Sequence, residues 1–241
     1  MILFEQEKSM GQKIPEIKPK RTAIPRLLRY QGWYAHIISR NLQKVLTIEE
    51  LEDLMQVEGH LSEKELLTLF YYAFFQKKSG IIVEIGSFKG KSAVCMATAL
   101  KKAGRPEKVI AIDPHINTHQ PDVVPAYQEN ESYQSFLKNL FEHQVREYVE
   151  PIRATSQNAA NGWNRPIRLL FIDGSHRYED VLLDIQLWER WLIRGGILIF
   201  HDTGSGRFPG VTRAIQETIV PSNRFHTILR LSNMTVFEKR R

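Results

Sequence analysis

The sequence predicts a doubly wound α/β fold: a mostly parallel, seven-stranded sheet that ends in an antiparallel hairpin, with an N-terminal helical extension. Two observations predict it. From Gly80 onward, short and almost continuously apolar runs alternate with helical segments, which indicates parallel strands covered by helices on both faces. Near the C-terminal end, only Ser232 and Asn233 separate two apolar runs, which is typical of an antiparallel hairpin.

The chain is predicted to divide into an extension, residues 1–78, and a main domain, residues 79–241. The extension begins with an arm rich in proline and basic residues, which we expect to be solvated. Two capping-box patterns then predict the first turns of two helices: Thr47-x-x-Glu50 and Ser62-x-x-Glu65. The second of these helices is apolar on most sides, so we expect it to pack against the main domain.

The elements of the main domain are predicted from the spacing of apolar residues, which changes along the chain between the pattern of a strand and that of a helix. The predicted strands are Ile81–Ile85, Lys108–Ile112, Tyr148–Arg153, Ile167–Ile172, Gly196–His201, Phe225–Leu231 and Met234–Lys239. The predicted helices are Lys91–Lys102, Ser132–Gln144, Tyr178–Leu192 and Val211–Ile219, with a short turn near Gln157. Such sheets bind ligands at the carboxyl ends of their strands, so the residues that follow each strand are the candidate site.

Composition excludes several classes of protein. Of 241 residues, 42% are hydrophobic, and no apolar run approaches the roughly 18 residues that span a bilayer. The single cysteine, Cys95, excludes an internal disulfide and a cysteine-rich zinc site. The sequence shows no secretory signal, so we expect a cytoplasmic protein. The net charge of +6 is modest and no aromatic residues interleave with the basic ones, so no nucleic-acid partner is expected.

The loop after the first strand is one residue too short for a phosphate-binding loop, because only three residues separate Gly86 from Gly90. What remains is an apolar strand with Glu84 at its end, a glycine turn and a helix that begins near Gly90. This arrangement suits a nucleoside ligand that lies across the strand end, with Glu84 close to a polar or cationic group. S-Adenosylmethionine carries an ammonium, a sulfonium and an adenosine, and it fits better than ATP or NAD.

Asp113 follows the second strand, 27 positions after Gly86. This sequence separation is near that at which an acidic residue binds ribose hydroxyls. Its carboxylate can accept hydrogen bonds from the 2′- and 3′-hydroxyls. A turn aspartate before Pro114 is the alternative interpretation.

Candidate catalytic or metal-binding side chains follow two further strands. Asp173 and His176 follow the fourth strand, and His201 and Asp202 follow the fifth, so the four side chains should converge. Buried carboxylates and imidazoles need a counter-ion, which a divalent metal supplies. Two carboxylates favour Mg²⁺, and histidine participation moves the preference toward Mn²⁺, Fe²⁺ or Zn²⁺. A hydrogen-bonding network without a metal is the alternative.

Taken together, these motifs resemble a class I S-adenosylmethionine-dependent methyltransferase with a Rossmann-like fold. More narrowly, they resemble the group of macrolide- and aminocoumarin-sugar O-methyltransferases and cephalosporin-hydroxylase-like proteins. The resemblance covers about Gly80 to Lys239. It is carried by Glu84-x-Gly86-x-x-x-Gly90-x-Ser92, Ile112-Asp113-Pro114, Phe171-Ile172-Asp173-Gly174-Ser175-His176-x-Tyr178 and Gly195-Gly196 leading to His201-Asp202-Thr203.

The resemblance implies a role for each matched position. Asp113 would hold the ribose, and Ser156 falls where the family lines the adenine pocket. The implied cofactor-binding residues are Glu84, Gly86, Ser87, Gly90, Ser92, Asp113, Pro114, Ser156 and Asp173.

Metal-dependent relatives bind Mg²⁺ through an aspartate at the position of Asp173 and an adjacent acidic pair after the fifth strand. Here that pair is His201-Asp202, so an imidazole replaces one carboxylate, and Mn²⁺ becomes an alternative to Mg²⁺. The implied metal ligands are therefore Asp173, His201 and Asp202. His176 is the candidate base, and His201 competes for that role where it is not a ligand, so the candidate catalytic residues are His176, His201 and Asp173.

The function that follows is O-methylation of a small-molecule hydroxyl, such as that of a sugar or secondary metabolite, with a divalent metal assisting. One alternative is a non-haem metal oxygenase that uses His176, His201 and an aspartate. Another is a non-catalytic S-adenosylmethionine-binding protein. The acceptor pocket is expected to come from the extension and from loops such as Pro114–Glu131. Whether the chain forms a homo-oligomer stays open.

Overall fold

The computed structural model describes residue 38 and residues 40–116, 130–204 and 206–240. The proline-rich arm and most of the predicted loop Pro114–Glu131 fall outside these residues. The described residues form one seven-stranded sheet. Its strands are β1 (Ile81–Ile85), β2 (Val109–Ile112), β3 (Val149–Ile152), β4 (Ile167–Ile172), β5 (Leu192–His201), β6 (Phe225–Arg230) and β7 (Met234–Lys239).

The helices agree with the predicted ones except at some of their ends. They are α1 (Ile48–Gln56), α2 (Glu63–Phe75), α3 (Lys91–Lys102), α4 (Glu131–Glu142), α5 (Ser156–Ala160), α6 (Tyr178–Trp188) and α7 (Pro209–Thr218). Both predicted capping boxes form at α1 and α2. Among the described residues, no helix is both long enough and apolar enough to cross a membrane.

The strand order is β3-β2-β1-β4-β5-β7-β6, so the direction of winding switches between β1 and β4. β1 to β5 run parallel, and β7 pairs antiparallel with both β5 and β6, as the hairpin pattern predicted. Ile85 of β1 lies opposite both Ile112 of β2 and Ile172 of β4, and Ile172 lies opposite Phe200 of β5. The parallel strands therefore end at nearly the same level, which brings the residues after them to one edge.

The start of β5 differs from the prediction. The strand begins at Leu192 rather than Gly196, and α6 ends at Trp188 in place of Leu192. Leu192 pairs with Ile167, and the register then shifts before Ile197 pairs with Leu169. The shift spans residues 193–196, which include Gly195 with a φ of +74° that suits glycine, so the glycine pair lies at an irregularity within the strand and not at its beginning.

Helix α2 of the extension shares a hydrophobic core with the sheet. Leu66 and Phe70 are fully buried in the same cluster as Val94 of α3 and Leu169 of β4. At the far end of α2, the fully buried Arg168 of β4 donates to the carbonyl oxygens of Tyr72, Ala73 and Gln76, and Tyr72 O also accepts from Gln76 N. Helix α2 is thus fixed to the sheet at the end opposite its capping box.

Candidate active site

The backbones of β1 and β4 approach closely where the two strands end. Asp173 N donates to Ile85 O at 2.8 Å, and Gly86 has a φ of +86°. A Cβ atom on Gly86 would lie 2.2 Å from Asp173 O, so only glycine fits here. This contact places the glycine loop directly beside the predicted catalytic aspartate.

The end of β1 holds buried polar atoms that form no well-aligned hydrogen bond within the described part of the chain. Glu84 is fully buried, and neither of its carboxylate oxygens forms a well-aligned hydrogen bond with the described residues, although the nearby hydroxyls of Ser87 and Ser92 partly offset the effect of burial on its pKa. The hydroxyl of the buried Ser87 is likewise unpartnered among them, and Ser92 is buried in the first turn of α3. Burial raises the pKa of Glu84 to about 8. Unpaired groups of this kind are costly, which indicates a place for a ligand with hydrogen-bonding or cationic groups.

Asp113 fixes the shape of the glycine loop. Its Oδ2 accepts from the backbone N–H groups of Ser87 and Phe88, both at 2.8 Å, and its Oδ1 accepts from His115 N at 2.7 Å. A carboxylate offers about four lone-pair sites, so three backbone bonds leave capacity for one ribose hydroxyl. Ribose binding by Asp113 and Pro114 stays a prediction, and the tether to the loop is an additional role that sequence reasoning missed.

Gly90 closes the loop at the start of α3. It has a φ of +90°, and a Cβ atom there would lie 2.9 Å from the Phe136 ring of α4. The glycine therefore allows both the left-handed turn and the close approach of α4.

Ser156 begins α5, where its hydroxyl is held by α6. It donates to Asp184 Oδ1 and accepts from Trp188 Nε1 at 2.9 Å. Burial raises the pKa of Asp184 to about 6, in spite of the Ser156 hydrogen bond. Contact of Ser156 with an adenine ring stays a prediction. Asp184 was not among the candidate site residues predicted from the sequence.

The four predicted side chains at the ends of β4 and β5 do converge. His201 Nδ1 lies 3.0 Å from Asp173 Oδ1 and 3.4 Å from Asp202 Oδ2. Asp202 Oδ2 also lies 2.6 Å from His176 Nε2, and its Oδ1 accepts from Asn233 Nδ2 at 2.9 Å. His201 is buried, whereas Asp173, Asp202 and His176 are half-buried at the edge of the cleft.

The charges of this cluster are strongly coupled. Burial lowers the pKa of His201, but Asp173, Asp202 and Glu65 together raise it to about 12. Burial raises the pKa of Asp173 even though the His201 imidazole opposes it. For Asp202, burial is outweighed by hydrogen bonds from His176 and His201, so its pKa falls well below the usual value. In this arrangement His201 is an imidazolium among carboxylates.

One carboxylate of this cluster was not predicted. Glu65 Oε2 of α2 lies 3.6 Å from His201 Nε2, on the opposite side of the ring from the two aspartates. Sequence reasoning assigned Glu65 to a capping box alone. The available signal was the helix itself, because a helix that is apolar on most sides also buries the glutamate of its first turn.

The cluster fits a divalent cation. Asp173, His201 and Asp202 each offer one ligand atom, and these atoms lie within 4.8 Å of one another. Ligands about 2.1 Å from one ion are separated by about 3.0 Å in octahedral and about 3.4 Å in tetrahedral geometry. The two measured separations from His201 Nδ1 are 3.0 and 3.4 Å, so a cation could replace the proton on this nitrogen.

A sheet with this strand order, a glycine turn after β1 and acidic residues at the ends of β1 and β2 defines the class I S-adenosylmethionine-dependent methyltransferase fold. A sequence model described as "Methyltransferase domain" matches residues 83–203. The chain belongs to this methyltransferase family. The matched range begins in β1 and ends after Asp202, so it includes every strand end described above.

Solved structures share this fold. The O-methyltransferase NovP is 16% identical, with 81% of each chain covered and a TM-score of 0.60. The O-methyltransferase TomG of Streptomyces achromogenes, solved in complex with S-adenosylmethionine, is 16% identical over 86% of this chain and 96% of its own, with a TM-score of 0.61. At these identities the likeness establishes the fold.

A curated relative is the uncharacterized protein R132 of Acanthamoeba polyphaga mimivirus, which is 28% identical over 147 residues. The match covers 60% of this chain and 62% of the length of that relative.

Proposed function

We propose that the protein is an S-adenosylmethionine-dependent O-methyltransferase that acts on a hydroxyl of a small molecule, such as a sugar or secondary metabolite. The observation that carries the proposal is the juxtaposition of two groups of residues at one sheet edge. Buried polar atoms of Glu84 and Ser87, which lack well-aligned hydrogen bonds among the described residues, lie at the end of β1, and the His176–Asp202 pair lies past the ends of β4 and β5. Membership in the methyltransferase family and the O-methyltransferases among the structural neighbours support it.

In this reaction the methyl group passes directly between the two bound reactants. S-Adenosylmethionine supplies the methyl group, and the acceptor oxygen displaces the sulfur in line, so that a C–O bond forms as the C–S bond breaks. The products are the methyl ether and S-adenosylhomocysteine, and one proton leaves the acceptor hydroxyl. The protein must therefore hold two reactants in line and take up this proton.

His176 is the proposed base. Asp202 Oδ2 lies 2.6 Å from its Nε2. The imidazole ring also stacks on Phe208 with a centroid separation of 3.8 Å, which fixes the plane of the ring. Proton removal by an imidazole of this kind contributes about 10²- to 10⁴-fold to a rate. His201 is less suited to the role, because it is buried behind Asp173 and Asp202.

The same residues suit a cation-assisted reaction. Asp173, Asp202 and His201 would hold the ion, which would lower the pKa of a coordinated acceptor hydroxyl. An imidazole in the ligand set favours Mn²⁺ or another transition metal over Mg²⁺.

The two alternative functions receive less support. Among the described residues, the ligand set that could hold one ion contains a single histidine, whereas the oxygenase hypothesis needs two. The oxygenase hypothesis also leaves the glycine loop without a role. Nothing in the geometry favours a protein that binds S-adenosylmethionine without catalysis, because a base and an acidic cluster face the same edge.

The experiment that tests the proposal is isothermal titration of the protein with S-adenosylhomocysteine in the presence of Mg²⁺, Mn²⁺ or EDTA. We expect micromolar binding in every condition, since the glycine loop and the acidic cluster are separate parts of the site. Transfer of radiolabelled methyl groups to a panel of hydroxylated metabolites then identifies the acceptor class. Absence of S-adenosylhomocysteine binding in all three conditions would refute the proposal.

A further inference from the structure

Glu65 brings a buried carboxylate into the acidic cluster from outside the matched family range. It belongs to the first turn of α2 and is only 3% exposed, which is rare for a glutamate without a strong partner. Its Oε2 accepts from the backbone N–H and the hydroxyl of Ser62, both at 2.7 Å. The same oxygen faces His201 Nε2 at 3.6 Å. One atom thus caps α2 and contacts the candidate site.

The two ring nitrogens of His201 face different groups. Nδ1 faces the carboxylates of Asp173 and Asp202, and Nε2 faces Glu65 and Asn233. Asn233 Nδ2 donates to Asp202 Oδ1, so the atom that it turns toward the ring, 3.4 Å away, is an amide nitrogen and not an acceptor. Among the described residues, Glu65 is therefore the acceptor that faces Nε2–H.

This pattern matches a general feature of metal-binding histidines. Such a residue gives one ring nitrogen to the ion and donates the other N–H to a carboxylate or carbonyl, which fixes the ring and the tautomer. Here the outer carboxylate is Glu65, the inner nitrogen is Nδ1, and the two aspartates lie at distances that fit a shared cation.

We propose that Glu65 is a positioning residue that holds His201 Nε2–H and so presents Nδ1, with Asp173 and Asp202, to a divalent transition-metal ion. The inference rests on the proposed function only in placing a cation at this site. Both ends of α2 support the role. Ser62 fixes Glu65 at one end, and Arg168 caps the carbonyl groups at the other, so the carboxylate is part of a rigid helix.

The test compares Glu65→Gln with Glu50→Gln. Glu50 is the matched control, because it occupies the same capping-box position in α1, where its Oε2 accepts from Thr47 N at 2.8 Å. Its Oε1 pairs with Lys102, the last residue of α3, at the helix end opposite the glycine loop. Each variant, the wild type and Asp173→Asn are titrated with Co²⁺ alone, followed by visible absorption and by calorimetry.

We expect wild-type protein to bind Co²⁺ with a four- to six-coordinate spectrum that Asp173→Asn abolishes. Glu65→Gln should weaken Co²⁺ binding by about 10- to 100-fold, the usual effect of losing an outer carboxylate, and should alter the spectrum. Glu50→Gln should change the affinity by less than about twofold, and both variants keep a side-chain oxygen that accepts the N-cap N–H, so their losses of thermal stability should be small and similar. If Glu65 had a purely structural role, Glu65→Gln would change the thermal stability and leave the Co²⁺ affinity and spectrum unchanged.

Two results would overturn the inference: equal Co²⁺ affinity and spectra for Glu65→Gln and wild type, or no Co²⁺ binding that depends on Asp173. S-Adenosylhomocysteine titration of the same samples separates this outcome from failure of the proposed function and confirms that each variant is folded. Where S-adenosylhomocysteine binds but Co²⁺ binding is unchanged by Glu65→Gln, only the role of Glu65 is refuted.

Discussion

Binding of S-adenosylhomocysteine should release a proton from Glu84. In the unliganded protein this carboxyl is fully buried, and burial outweighs the nearby Ser92 and Ser87 hydroxyls and raises its pKa to about 8. An ammonium group of the ligand beside it would favour the ionised form and lower that pKa. The carboxyl would then change from protonated to ionised as the ligand binds.

The size of the effect follows from the pKa of about 8. Glu84 would be protonated in about nine tenths of unliganded molecules at pH 7, in about half at pH 8 and in few at pH 9.5. Binding should therefore release about 0.9 proton at pH 7 and about 0.5 at pH 8. Because protons are released, affinity should rise with pH up to about 8 and then level off.

The raised pKa of Glu84 also predicts how the free energy of unfolding changes with pH. A carboxyl whose pKa is raised on folding stabilises the protein fully below its unfolded pKa, and this contribution is lost as pH rises through the folded value. From 4.5 to about 8, the loss is at most on the order of 5 kcal/mol. Glu84→Gln should therefore raise the free energy of unfolding of the unliganded protein at pH 9 while weakening ligand binding.

Calorimetry in buffers of different ionisation enthalpy measures the number of protons released. Glu84→Gln should release none at pH 7, and Glu150→Gln, a change on β3 at the sheet edge, should behave as wild type. Zero release by the wild type between pH 6 and 8, or equal release by Glu84→Gln, would refute this account of Glu84.

Three further predictions address the rest of the site. Asp173→Ala should lower methyl transfer at least about a hundredfold while S-adenosylhomocysteine binding, measured by calorimetry, is largely retained; loss of that binding would contradict its assignment to catalysis. Gly86→Ala should abolish cofactor binding because its Cβ would lie 2.2 Å from Asp173 O, whereas Gly162→Ala, with φ +73° and nothing within 4 Å, should bind normally in the same titration. Asp184→Asn should raise the urea midpoint above pH 6 and leave it unchanged near pH 4, since the pKa of Asp184 rises from 3.8 to about 6 on folding. An effect of equal size at both pH values would show that packing, and not charge burial, limits stability there.

Local patterns explain what could be predicted from the sequence. The apolar runs and helical periods identify the strands, and parallel pairing alone brings Asp173 and Asp202 to one edge. The starts of α1 and α2 were predictable because a capping box lies within four residues. The boundary of β5 was not, because the register shift around Gly195 depends on the neighbouring strand.

Contacts between distant parts of the chain account for the remainder. Glu65 and His201 are separated by more than half of the sequence, and no pattern around either residue encodes their approach. The three backbone bonds to Asp113 likewise depend on how the glycine loop folds back over β2. A carboxylate at a strand end is visible in a sequence, but the donors that it meets are not.

The extension and the glycine loop after β1 are connected by contacts from a short segment before α2. Glu58 pairs with the buried Lys89 at 2.7 Å, and the His60 ring stacks on Phe88 with a centroid separation of 5.9 Å. A few residues later, Glu65 contacts His201. Residues 58–65 therefore touch both the glycine loop and the acidic cluster, so a displacement of this stretch would alter both groups of candidate site residues. Because these contacts cross the predicted boundary at residue 78, the proposed active site includes side chains from the helices that precede the matched family range.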